Sequence, residues 1–441
     1  MNRKSTFRYS LLLAGSLLAT TPGFAAESVE SRITRLEEEL AALKAQINNK
    51  PSVVIPPAVA VEPAKKAEPP ASVSTGSGVK VQFYGFARMD ASFDTGKINT
   101  GNIALWVRPE TLNNNDGEWN LTAGATRLGL NLSGPDTEAI KLTGNIELDF
   151  LGGGTENNLN PRLRHGYLKA FWPASDFSII AGQTWDVHSA LIPFVDDPGL
   201  MWAAGNIGTR HPQLRLTKGF ASGEKSRIEV AVAAARTIGE ANTWAETWNT
   251  DPGKDAAMPT IQGRVGLTTP LFVSNQPATI AVSGHYGQEE WDTDKTGTRI
   301  TLDSWSTNLE LTMPLTEAVT LAGEYFTGSN LDDYWGGVAQ GVNNTTKAGL
   351  KDIRAKGGWT ALRYTLSPST TFSAGAGLDK PDYSDLANDM RSRNQSVFGN
   401  VIHKVTPNFI VGFQVADWRT DYKNAASSAA LRAQSSFTYK F

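Results

Sequence analysis

Arginine is the residue type whose placement in this chain suggests chemistry. Its guanidinium keeps its charge at physiological pH and offers a planar fork of donors that matches a carboxylate. Arg88, Arg127, Arg215, Arg227, Arg264 and Arg363 fall opposite the apolar parity of the extended segments that carry them, and Arg162 and Arg164, two apart, share one face. Along a strand such a pair stands roughly 7 Å apart, a spacing that suits holding or passing on one dicarboxylate. Carboxylates recur on the same faces at Asp90, Glu147, Asp149, Glu229, Glu310 and Glu324, so each arginine also has a plainer reading as a structural ion pair. Arg88, Arg127, Arg162, Arg164, Arg210 and Arg215 form the candidate anion path, because their segments flank the long connection 187–209. Asp196 and Asp197 in that connection would supply the opposing charge of a transverse field.

Other chemistries find little support. There are no cysteines, which excludes thiolate metal sites and cysteine nucleophiles. The five histidines, His165, His188, His211, His285 and His403, are scattered, and neither HExxH nor GxSxG occurs. No enzyme, cofactor or metal is therefore expected. The formal charge is −3, and loss of Arg3, Lys4 and Arg8 with a leader would take it to −6, against a nucleic-acid partner bound through bulk positive charge. A mean hydropathy of −0.28 is too low for a helical membrane protein.

The elements that must position these arginines follow from the patterning. Residues 1–25 read as a signal peptide: basic Arg3, Lys4 and Arg8, an apolar run from Leu11 to Ala19, and small residues before a cut after Ala25. Within 26–50, Val29, Ile33, Leu36, Leu40, Leu43 and Ile47 alternate spacings of four and three, a coiled-coil seam whose flanking pairs Arg32 with Glu37 and Glu39 with Lys44 suit a parallel homo-oligomer. A single amphipathic helix lying on its own domain is the plainer alternative. Residues 51–79, rich in Pro, Ala and Val, read as a semi-rigid spacer.

From residue 80 to 441 the texture is segments of about ten residues that alternate apolar and polar, the pattern of a membrane-spanning barrel with a wet interior. Ile140, Leu142, Ile146, Leu148 and Phe150, for example, oppose Lys141, Thr143, Asn145, Glu147 and Asp149. Segmentation gives 16 strands, hence an all-β fold, a 16-stranded antiparallel transmembrane barrel preceded by a short helical coiled coil. Short turns such as 134–136 and 406–408 alternate with long links such as 95–119, 187–209, 238–257 and 328–356, so both termini should face the periplasm. Phe437, Tyr439 and Phe441 alternate to the terminus as an interfacial girdle, and this ending resembles the terminal sorting pattern of bacterial outer-membrane barrels, which implies Phe441 as a signal to the barrel-assembly machinery. Trp106, Trp119, Trp172, Trp185, Trp305, Trp359 and Trp418 lie near strand ends and read as interface anchors or, near the mouth, as a track for ligands.

The leader, coiled coil, proline-rich spacer and barrel, with Arg162-Leu163-Arg164-His165-Gly166-Tyr167 on the fourth strand and Ala181-Gly182-Gln183-Thr184-Trp185 on the fifth, resemble the DcaP-like porins of Gram-negative bacteria. The resemblance implies a homotrimer in the outer membrane, surrounded by its lipid, with the coiled coil in the periplasm. It also implies a channel for small anionic solutes, dicarboxylates among them. It places 187–209 as the inward constriction loop; burial of that loop in a subunit contact is the alternative. A structural or adhesive barrel tethered by its coiled coil is the competing function.

Overall fold

The computed structural model describes residues 72–113, 116–239, 251–293 and 297–441. The leader, the coiled-coil seam (Val29, Ile33, Leu36, Leu40, Leu43, Ile47) and all of the spacer before residue 72 lie outside the described residues. Among the described residues no helix is long and apolar enough to cross a membrane; crossing by strands is a separate matter.

Sixteen antiparallel strands close on themselves. They are β1 (Lys80–Asp94), β2 (Glu118–Thr122 and Arg127–Ser133), β3 (Lys141–Asp149), β4 (Arg162–Trp172), β5 (Phe177–Trp185), β6 (Arg210–Ala221), β7 (Arg227–Ala235) and β8 (Thr260–Val273). The second half comprises β9 (Gln276–Asp292), β10 (Arg299–Pro314), β11 (Val319–Ser329), β12 (Arg354–Ser367), β13 (Thr370–Pro381), β14 (Arg391–Lys404), β15 (Phe409–Tyr422) and β16 (Ser428–Lys440). Each strand pairs with its neighbours in sequence, and β1 pairs with β16 from Phe86↔Lys440 to Asp94↔Arg432, which closes the barrel and removes its edges. Period-two alternation sets the faces: in β3, Ile146 is 43% exposed on the outside while Asp149 is 1% exposed within. At the C-terminus Phe441 lies outside, stacked on Phe83 at 5.4 Å.

Three features depart from the sequence reading. The end of the spacer is not only a tether, because Ser72–Ser74 pairs with β1 from Ser72↔Gln82 to Ser74↔Lys80. β2 is interrupted at residues 123–126, where the Thr126 hydroxyl accepts from Arg88 N at 3.0 Å. Most consequentially, the lumen has an apolar core: Ile98, Ala104 and Val107 from the first long connection and Met201 and Ala204 from the third pack on Trp359, Phe398 and Trp418 of the inner wall. Trp359 and Trp418, expected at the membrane interface, face inward because apolar loops cover them. Trp119, 71% exposed, keeps the expected outward place.

Candidate functional site

The connection 186–209 folds into the barrel and runs along its inner wall, held by side chains of strands far apart in sequence. Val187 N donates to Gln262 of β8 at 2.8 Å, Ser189 N to Ser283 of β9 at 3.2 Å, and Leu191 N to Glu324 of β11 at 2.8 Å. Farther round, Asn400 of β14 donates to the Phe194 carbonyl at 2.7 Å, and Asp196 N donates to Gln414 of β15 at 2.8 Å. Polar side chains on the inward parity of the strands thus satisfy the backbone of an irregular segment, which is what permits such a segment inside a barrel. Residues 98–107 and 330–343 of two other connections turn inward as well. Val107 N donates to Thr420 at 2.9 Å and Val338 N to Asp379 at 2.9 Å. Only the 186–209 segment was expected there.

The six candidate arginines divide into two groups. Arg88 is a clamp: its Nε and Nη2 fork Asp90 at 2.9 and 2.6 Å, and Nη2 also donates to the Asp196 carbonyl at 2.7 Å. Asp197, 3% exposed, accepts from Gly199 N at 2.6 Å and lies 3.4 Å from Arg432 Nε. Asp196 and Asp197 therefore tie the loop to the wall, Asp196 through Arg88 of the candidate path and Asp197 through Arg432. Arg432 carried no sequence signal beyond its parity, yet it is 1% exposed and joins Asp94, at 3.2 Å, to Asp197.

On the adjoining strands, Arg127, Arg162 and Arg164 gather around two carboxylates, with Arg210 near them. Arg162 forks Asp149 at 3.0 and 2.7 Å, and Arg164 reaches Glu147 at 2.6 Å and Asp149 at 2.9 Å. Arg127 stands 4.0 Å from Glu147 and 5.3 Å from the Phe86 ring centroid. The expected separation of Arg162 and Arg164 is not kept, because both guanidiniums close on Oδ2 of Asp149. The register between β3 and β4 shifts between Leu163 and His165, a bulge that re-aims this stretch. Arg210 has no carboxylate within salt-bridge distance among the described residues. Its guanidinium lies 4.3 Å from the Trp185 ring centroid and 5.8 Å from that of Trp202, and Nη1 is buried without a hydrogen-bond partner. Arg215 donates to Gln213 at 2.9 Å and to the Trp185 carbonyl, and borders a cavity of about 170 Å³ between loop and wall. Four guanidiniums against Glu147 and Asp149 leave a surplus of positive charge on this side of the lumen.

Outside the candidate path, Arg264 is paired with Glu310 at 2.8 Å and Arg227 with Asp176 at 2.9 Å. Arg363 lies 3.8 Å over the Phe194 ring, and Arg391 lies 4.2 Å over Trp106 while donating to the Val338 carbonyl at 2.9 Å. Three of the five histidines, scattered in sequence, meet inside: His188, His211 and His285 surround Tyr334 with ring centroids 4.5, 5.1 and 4.3 Å away. His211 Nδ1 is 2.8 Å from Asp186. This cluster joins the start of the 186–209 loop to β6, β9 and the 330–353 connection.

A closed barrel of 16 antiparallel strands with long connections folded into its lumen is the porin architecture. No protein-family model and no curated protein matches the chain. Among solved structures it is similar to the outer membrane channel DcaP of Acinetobacter baumannii, with a TM-score of 0.67 and 17% identity, covering 84% of this chain and 100% of that one. It is also similar to an anion-selective porin from Comamonas acidovorans, with a TM-score of 0.52 and 11% identity, covering 82% of this chain and 100% of that one. The likeness to DcaP agrees with the resemblance read from the sequence, and these structures are channels, not enzymes.

Proposed function

We propose that this protein is an outer-membrane porin, a channel for passive diffusion of small hydrophilic solutes that prefers anions, dicarboxylates among them. The observation that carries the reading is Arg210, a guanidinium with no carboxylate within salt-bridge distance among the described residues, next to Arg127, Arg162 and Arg164, which share two carboxylates. A fixed surplus of positive charge on a channel wall lowers the entry cost of anions and raises that of cations. The solved porin described as anion-selective shares the fold and supports the reading. In this reading the barrel spans the outer membrane of a Gram-negative bacterium as a homotrimer, inserted by the assembly machinery through its last strand. The coiled coil 26–50 stands in the periplasm.

The apolar core inside the barrel favours one rival, a structural or adhesive barrel with its lumen filled. Reconstitution in a planar bilayer across a salt gradient separates the two. The porin reading expects current steps in multiples of three and a reversal potential of anion sign. Arg210→Ala should then reduce the anion-to-cation permeability ratio several-fold, from loss of an interaction on the order of 1 kcal/mol. A folded protein that passes no current supports the structural barrel, and cation selectivity removes the arginine path while leaving the channel.

A further inference from the structure

The outer wall carries its own uncompensated charge. β12 and β13 place Lys356 and Lys380 directly opposite each other, both exposed, on the parity that points away from the lumen. Like charges directly opposite across an antiparallel pair, with Cβ atoms about 5 Å apart, destabilise it. Neither lysine has a carboxylate within salt-bridge distance among the described residues. The nearby acids are already engaged: Asp385 by Arg354 at 2.8 Å and by Lys351 at 2.8 Å, and Asp382 by Arg354 at 3.2 Å.

The surroundings are amphiphilic in an ordered way. Toward the long-connection end, the lysines share a cavity of about 480 Å³ with Trp305, Tyr383 and Arg354. Away from it, a groove of about 600 Å³ runs down the outer wall between Tyr325, Leu378 and Val397. Its floor is low because Gly358, opposite Tyr325 and Leu378, has no side chain, and the next pair is the small Thr360 opposite Ala376. An apolar trough thus leads up to two adjacent ammonium groups with aromatic rings beside them, the order of acyl chain, charged headgroup and interface in a lipid.

We propose that Lys356 and Lys380, with the trough beneath them, bind a lipid with a phosphorylated headgroup in the leaflet at the long-connection end of the barrel. The inference rests on reading the barrel as membrane-spanning. A phosphate carries the charge to bridge two point-like ammoniums and relieve their repulsion, and an acyl chain fills the trough that water would leave apolar. A neutral lipid fills the trough and leaves the lysines opposed; free phosphate meets the lysines and leaves the trough empty.

The test is native mass spectrometry of the full chain in detergent with three probes: lipid A bearing its phosphates, dephosphorylated lipid A, and inorganic phosphate. The expected result is a retained adduct with the first, binding weaker by about tenfold or more with the second, and no adduct with the third. The double variant Lys356→Gln, Lys380→Gln should lose phosphorylated lipid to the same extent, while Lys356→Arg, Lys380→Arg retains it. Persistence of the folded form on unboiled gels confirms that both variants are folded. Equal binding of the dephosphorylated lipid, an adduct with phosphate alone, or unchanged binding by the glutamine variant overturns the proposal. A change of oligomeric state in that variant with lipid binding intact also overturns it and makes the face a subunit contact. Because both lysines face away from the lumen, the variant should conduct as the parent does. A parent that never conducts counts against the channel reading and leaves the lipid result standing.

Discussion

Two sides of the same lumen obey the same alternation and end in opposite states. On β2 to β6, inward arginines share Glu147 and Asp149 and keep a positive surplus, with Arg162 still partly open to solvent. On β11 to β16 and β1, the buried inward charges hold loops. Arg432 joins Asp94 to Asp197, Arg88 holds Asp90 and Asp196, and Glu324 accepts from Ser189, Leu191 and Trp359. The difference teaches that inward parity brings a side chain to the lumen without making it available there. Whether a charge faces solute depends on whether a connection has folded over it.

Removing a charge from the covered side should have the largest effect. Arg432→Ala leaves Asp94 and Asp197 buried without their cation, and should cost about 3–5 kcal/mol in urea unfolding of the refolded barrel. A loss below about 1 kcal/mol would mean the covered side is as wet as the open one. The tryptophans sharpen the same contrast. Trp359→Ala, at a site 4% exposed within the apolar core, should cost about 3–5 kcal/mol, and Trp119→Ala, outside, well under that by the same assay.

Acid should act where the two sides meet. Burial against His285 and Tyr334, helped by the charge of His211 and opposed by Asp186 and Glu310, holds the imidazole of His188, at the start of the inward loop, down at about 4. A released loop would titrate near the ordinary histidine value of about 6.5. The docked state therefore prefers the neutral ring. Docking is strongest above about pH 6.5 and weakens as pH falls toward 4, by on the order of 3 kcal/mol. Hydrogen exchange over 186–209 should rise across that interval, and protection that stays flat would place the loop's hold elsewhere. The smallest effect is expected outside the lumen. Asp176, on a short turn, whose carboxyl the exposed Arg227 holds below the usual range, should give less than about 1 kcal/mol as Asp176→Asn by the same unfolding assay.

Much of this architecture was legible in the chain. Strand positions such as 80–94 and 408–421 and the inward parity of Arg127, Arg162, Arg164 and Asp149 all appear in the structure. Each rests on local information, since a strand's period of two is written residue by residue and a barrel repeats it on every strand. Pairing was not legible. Arg162 and Arg164 looked like two free forks until a bulge turned both onto Asp149, and Asp196 looked like an opposing charge until Arg88 closed on it.

What the sequence determined alone was the alternating pattern, its sixteen repeats and the residue types on each face, because these follow from neighbours along the chain. Only the tertiary structure decided that Trp359 and Trp418 face an apolar lumen, and that His188, His211 and His285 share one ring of contacts. It likewise decided that Arg210, between Trp185 and Trp202, has no carboxylate within salt-bridge distance among the described residues. These outcomes depend on which residues hundreds of positions apart are brought face to face when the barrel closes and its long connections fold inward, and contacts of that kind leave no periodicity in the sequence.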